Sequence, residues 1–137
     1  VISEAVLNDA AQIVELWNNV GLMRPWNDPN KDIELSLAAE SSMLFKAQKG
    51  NVLIGTVMAG YDGHRGWIYY LAVDPAHQKQ GVGRKLYDTA LDWLKEKGAP
   101  KVQILIRADN TDVVSFYEAL GFEKSTSVLM GKPIDAF

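Results

Sequence analysis

A chain of 137 residues is sized for one domain with one core, so a single domain over residues 1–137 with one active site is expected. Its 47% hydrophobic and 23% charged residues exclude a disordered or fibrous chain, and its formal charge of -3 argues against a surface that neutralises a polynucleotide. The absence of cysteine removes disulfides, thiolate metal sites and a cysteine nucleophile.

No run approaches the roughly 20 apolar residues that span a bilayer, and the start lacks a basic segment followed by an apolar stretch. A cytoplasmic chain with no membrane or nucleic-acid partner is expected, and Val1 in place of Met suggests a trimmed or engineered start.

In chain order, a short strand precedes a helix in which Asp9 and Gln12 resemble a capping box and Ile13, Leu16, Trp17 and Val20 recur at helical spacing. Gly21 stops it. Residues 22–31, with Arg24, Pro25, Trp26, Asp28 and Pro29, resist regular structure and give an ordered loop. Asp32 is expected to cap a short helix through Ile33, Leu35, Leu37 and Ala38.

Strand-like runs at 43–48 and 52–61 flank Lys49-Gly50-Asn51 as a hairpin, and a second turn at 61–66 leads into the apolar run 67–73, expected as the central strand. Residues 81–97 form the clearest helix, with Leu86, Ala90, Trp93 and Leu94 on one stripe, stopped by Gly98 and Pro100. A strand at 102–106, a short helix at 112–120 ended by Gly121, and a last strand near 127–130 complete the order. Trp17, Trp67 and Trp93 fall on periodic apolar positions and are expected in the core. The class is mixed α and β with a hairpin-rich first half.

The link between the apolar run 67–73 and the helix at 81 carries the chemistry. Gly81 and Gly83 let the backbone approach a ligand closely, and the helix start offers unpaired N–H groups with about half a positive charge. Lys79, Arg84 and Lys85 add cations, so the stretch suits a pyrophosphate. A P-loop would need Lys followed by Ser or Thr after the second glycine, where Arg84, Lys85 and Leu86 stand. A dinucleotide fingerprint would need a small residue at Leu86 and an acidic residue after the next strand, and has neither.

Gln78-x-x-Gly81-x-Gly83, following a strand that ends in Val-x-Pro, resembles motif A of the GNAT N-acetyltransferases. Asn110, then Phe116-Tyr117 and Gly121-Phe122, resembles that family's motif B, in the correct order. Residues 24–29 and 60–66 are similar to segments of its small bacterial YpeA-like subgroup.

The resemblance implies an α/β (α+β) fold, the GNAT fold, with a mixed, mostly antiparallel sheet, a splayed central strand pair and about four flanking helices. It implies acetyl-CoA as acyl donor, no metal, and an amine of a small molecule or peptide as acceptor, with homodimers common among relatives. Gln78, Lys79, Gln80, Gly81, Val82, Gly83 and Arg84 would hold the pyrophosphate, and Leu71, Ala72 and Val73 the pantetheine arm through their backbone. An N–H of Leu71 or Ala72 would stabilise the oxyanion. Asn110 occupies the position that commonly contacts the pantetheine, and Tyr117 that of the general acid.

Direct attack needs a neutral amine, and an alkylamine with a pKa near 10 is only about 0.1% neutral at pH 7. Tyr69 and Tyr70 are strand candidates for the base, and solvent-mediated deprotonation is the alternative. The departing thiolate, with a pKa of about 8.5, calls for an acid such as tyrosine that stays protonated at neutral pH. Tyr117 fits that need, its other reading being one apolar-face residue of a short helix.

Trp26, Asp28, Asp62 and His64 lie on loops that can border the acceptor; for Trp26 the alternative is a staple onto the core, and for His64 a solvated loop position. His77 is a candidate phosphate contact or a surface residue. A non-catalytic acetyl-CoA sensor or partner subunit shares the phosphate loop but does not need an acid at the thioester. A purely structural domain would leave the glycines and cations without a purpose.

Overall fold

The apolar runs become a five-stranded sheet in the computed structural model, which describes residues 1–134. The strands are β1 (Ile2–Glu4), β2 (Ser42–Lys49), β3 (Val52–Tyr61), β4 (Gly66–Val73) and β5 (Val102–Ile104), lying side by side in that order. The pairings β1 to β4 are antiparallel, as short turns permit, and β4 pairs parallel with β5 across a helical crossover. The sheet is therefore mixed and mostly antiparallel. Helices α1 (Ala10–Asn19), α2 (Pro29–Ala38) and α3 (Val82–Lys97) belong to the same compact unit, which ends at Leu105.

The two faces of the sheet can be read from neighbouring residues of β3. A Cβ on Gly55 would meet Leu86 of α3, whereas the Thr56 side chain bonds Trp17 of α1. Hence α3 covers one face and α1 the other, with α2 packed beside α1. Ile13, Leu16 and Trp17 of α1 and Ile33 of α2 are fully or almost fully buried with Leu44, Leu53, Met58 and Ala72 in one apolar cluster. Each of the isoleucine, leucine and methionine side chains contributes about 1.5–3 kcal/mol through burial.

Several sequence expectations need correction. The capping box at the start of α1 does not form. Asp9 instead accepts from the Val6 N–H and from Lys46 Nζ, both at 2.8 Å. Burial works to raise the Asp9 pKa, but the bonds from Lys46 and Val6 outweigh it and hold the carboxyl below its usual range.

Helix α2 starts at Pro29, where the ring's fixed φ suits a first helical position, and Asp28 caps it by accepting from the Asn30 and Lys31 N–H groups. Asp32, expected as the cap, lies inside the first turn. The middle strand of the described sheet is β3, not β4, since β5 adds only three residues beyond β4. Of the three tryptophans expected in the core only Trp17 is buried; Trp67 and Trp93 are half-buried, and Tyr87 takes the interior position beside Leu86.

The second unit begins at Ile106 and contains α4 (Thr111–Ala119). Gly121, at φ +95°, ends the turn after it, and the Phe122 N–H returns to the Tyr117 carbonyl at 3.0 Å. No strand forms at 127–130. Val128, Leu129 and Met130 are exposed and have no strand pairing among the described residues; a strand requires a hydrogen-bonded neighbour.

Candidate active site

The site is built around an irregularity in β4. Thr56 pairs with Ala72 and Met58 with Tyr69, so Val57 of β3 stands opposite two residues, Tyr70 and Leu71. This is a β-bulge, and Tyr70 adopts φ +50° to make it. A non-glycine residue in that region costs about 1–2 kcal/mol, so neighbouring contacts must hold it.

Those contacts are present. The Trp17 indole N–H donates to the Thr56 hydroxyl at 2.9 Å, and that hydroxyl donates to the Tyr70 carbonyl at 2.9 Å. The Tyr70 ring stacks on Trp17, with centroids 3.7 Å apart and planes 7° apart. Its hydroxyl donates to Asp32 at 2.5 Å, a short charge-assisted bond. Burial, then the bond to Asp32 and its negative charge, raise the Tyr70 pKa far above the usual tyrosine value.

The bulge changes which face β4 presents. A Cβ on Gly66 would meet Leu94 of α3, and the Val73 side chain lies on the same side, near Gly83 of α3. Seven residues separate them, an odd number that regular alternation would place on opposite faces. The same strand loses its parallel neighbour at this point. Pairing with β5 stops at Ile68 with Ile104, while β4 runs on to Val73. Residues 69–73 thus lack a β5 partner among the described residues, which is the splay expected of the sheet. Leu71, Ala72 and Val73, proposed from the sequence to meet the pantetheine, occupy this segment.

Immediately after β4 the chain prepares the start of α3. Gln78 Nε2 donates to the Val73 carbonyl at 3.2 Å, Lys79 takes φ +62°, and Gly81 takes φ +82° as the N-cap. No side chain caps α3, and its first turn contains no acidic residue. Helix α2 is the opposite, with Asp28 as cap and Asp32 in its first turn. The N–H groups at the start of α3 are therefore left for solvent or an anion, beside Arg84 and Lys85. Arg84 is exposed and bonds Asp88 at 3.1 Å. Gln80, Val82 and Gly83 complete the stretch.

Nothing lies within 4 Å of a Cβ built on Gly81, so a substitution there meets strain rather than a clash. Gly81→Ala is expected to cost about 1–2 kcal/mol in a denaturant melt.

The loop candidates have local employment. Asp28 is the α2 cap. Asp62 Oδ1 accepts from the His64 and Arg65 N–H groups at 2.8 and 2.7 Å, and Oδ2 from the Trp67 indole at 3.2 Å. The Arg65 and His64 backbone bonds lead in lowering its pKa. His64 is exposed, and so is Trp26, at 70%, which rules out a staple onto the core. Arg24 turns back onto the Gly21 and Met23 carbonyls.

Tyr69 is 40% exposed, and its pKa is raised by partial burial and by Asp62. His77 is half-buried, 3.8 Å from Asp74. In the second unit, Asn110 is the N-cap residue of α4, and Tyr117 is 2% exposed between edge-on contacts with Phe116 and Phe122.

Sequence reasoning missed Trp17, Thr56 and Asp32 as neighbours of the bulge. The available signal was Thr56, a hydroxyl in an otherwise apolar, buried strand run.

Residues 10–122 match the family model described as the Acetyltransferase (GNAT) family, and the chain belongs to that family. An acetyltransferase of Yersinia pseudotuberculosis is 38% identical over 125 residues, covering 91% of this chain and 89% of the relative. Among solved structures, the aminoglycoside antibiotic 6'-N-acetyltransferase AAC(6')-IG from Acinetobacter haemolyticus superposes with a TM-score of 0.80 at 21% identity, covering 98% of this chain and 99% of its own. AAC(6')-Iy, solved with the bisubstrate analogue CoA-S-monomethyl-acetylneamine, gives 0.81 at 21% identity and covers 97% of both chains. These two likenesses show the α/β fold.

Proposed function

We propose that the chain moves an acetyl group from acetyl-CoA to an amine of a small molecule or peptide by direct attack. The observation that carries this reading is the uncapped, acid-free start of α3 immediately after the unpaired end of β4. It provides an open strand edge and an anion cradle joined by the short link 74–81, as a phosphate-bearing group with an extended amide arm requires. The coenzyme A portion of the analogue bound to AAC(6')-Iy supports the same donor here.

Residues 78–84 would hold the pyrophosphate, with Gly81 and Gly83 giving backbone access and Lys79 and Arg84 giving charge. Leu71, Ala72 and Val73 would hold the arm by their main chain, and the family's motif B, by resemblance, gives Asn110 a pantetheine contact. When bound, acetyl-CoA supplies an activated acyl thioester. The N–H of Leu71 or Ala72, at the bulge, would donate to the acyl oxygen and stabilise the negative charge that develops there. By resemblance to motif B, Tyr117 would be the acid that protonates the departing sulfur.

Partial burial favours the phenol form of both Tyr69 and Tyr70, and the Tyr70 hydroxyl is committed to Asp32. This favours deprotonation of the amine through solvent over either tyrosine as base. Trp26 and His64 are exposed and would be free to border the acceptor.

Arg84→Glu reverses charge at the helix start and is expected to weaken coenzyme A binding by roughly tenfold or more, with a shallower salt dependence than wild type. Calorimetric titration at two ionic strengths checks this. Unchanged affinity would remove Arg84 from the pyrophosphate site.

A further inference from the structure

We propose that Trp17, Thr56 and Asp32 are positioning residues for acyl transfer, acting together as a clamp that holds Tyr70 left-handed and so aims the backbone of Leu71 and Ala72. The proposal rests on the reading of β4 as the acyl-transfer strand. Each clamp residue comes from a different element: Trp17 from α1, Asp32 from α2 and Thr56 from β3. All three converge on one strained residue of β4.

The three attachments divide the task. The Thr56 hydroxyl fixes the Tyr70 carbonyl, and hence the peptide plane that carries the Leu71 N–H. Trp17 orients that hydroxyl through its indole N–H and supports the Tyr70 ring from one side. Asp32 anchors the far end of the ring through its hydroxyl. Tyr70 is thus a strut with its polar tip committed to Asp32, rather than a base facing the acceptor.

A side-chain hydroxyl is needed at position 56 because one atom must both accept from Trp17 and donate to Tyr70. Strand β3 passes close enough at the neighbouring Gly55 that a Cβ there would lie 3.0 Å from the Ala72 carbonyl. The clamp and this close approach fix both ends of the two-residue bulge. Asp32 also follows the 22–28 loop by one turn of α2, so displacement of that helix would be felt at Tyr70 through a single hydrogen bond.

The test compares Thr56→Val, Thr56→Ser, Asp32→Ala, Tyr70→Phe and the Asp32→Ala/Tyr70→Phe double variant with wild type by three readouts. NMR backbone shifts and the HN–Hα coupling of Tyr70 report its φ without any ligand. Calorimetry reports coenzyme A affinity, and thiol release with an amine panel reports turnover. Circular dichroism confirms that each variant is folded.

Thr56→Val is expected to move Tyr70 out of the left-handed range and to lower kcat on the order of 10- to 100-fold, the effect of misplacing reacting groups by about 1 Å. Thr56→Ser is expected to restore both. Asp32→Ala and Tyr70→Phe are expected to lower kcat by similar factors that do not multiply in the double variant, because each removes the same bond. A Tyr70 that stays left-handed in Thr56→Val, or that moves while kcat is unchanged, overturns the proposal. If wild type fails to bind coenzyme A, the acetyl-transfer reading fails and takes the positioning role with it, while the NMR result still decides whether the clamp holds the bulge.

Discussion

Thiol release by Tyr117→Phe is expected to fall by about a hundredfold or more, with coenzyme A bound as tightly as in wild type. The substitution removes one oxygen and keeps the ring, so the edge-on packing against Phe116 and Phe122 survives. A loss of turnover therefore reports the proton rather than the fold. The loss should also depend on the leaving group. A donor whose thiol is more acidic needs less help in departing, so the gap between variant and wild type narrows as thiol pKa falls. Undiminished thiol release in Tyr117→Phe would sink the acid assignment and leave the thiolate to depart unassisted.

Thr56→Val is expected to destabilise the fold by about 2–4 kcal/mol, because two buried polar groups lose their partner while the shape of the side chain is kept. The Trp17 indole N–H would face a methyl group, and the Tyr70 carbonyl would lose the hydroxyl that holds it. Thr56 and Trp17 are both fully buried, so water cannot replace the missing bonds without opening the core. Urea unfolding with an unchanged m-value measures this. A loss below about 0.5 kcal/mol would show that the hydroxyl is not needed, since even one unsatisfied buried group costs about 1 kcal/mol or more.

What the sequence revealed was local, and what it concealed depended on distant residues. The stretch 78–84 was legible because two glycines, a helix start and a group of cations lie within a few positions of one another. The α1 core face was legible because Ile13, Leu16 and Trp17 repeat with the helical period. The start of α2 was not, since Asp28 followed by Pro29 and Asp32 followed by Ile33 both carry helix-start signals. The carboxylate one residue before the proline is the one aligned with two free N–H groups.

The bulge was hidden for a different reason. An uninterrupted run from Trp67 to Val73 gives no alternation from which a slip of one residue could be noticed. Its cause lies in Thr56, Trp17 and Asp32, which are 14, 53 and 38 positions away from Tyr70. The run at 127–130 has the composition of a strand, yet composition cannot supply the neighbour that makes one.

Thiol release from acetyl-CoA across a panel of small amines, amino acids and peptides tests the central reading most directly. Saturable release, matched by acetylation of one class of amine and weakened by Arg84→Glu, is the expected result. No release with any amine, together with no saturable binding of coenzyme A, would contradict it. Binding without release would instead favour a chain that senses acetyl-CoA without turning it over.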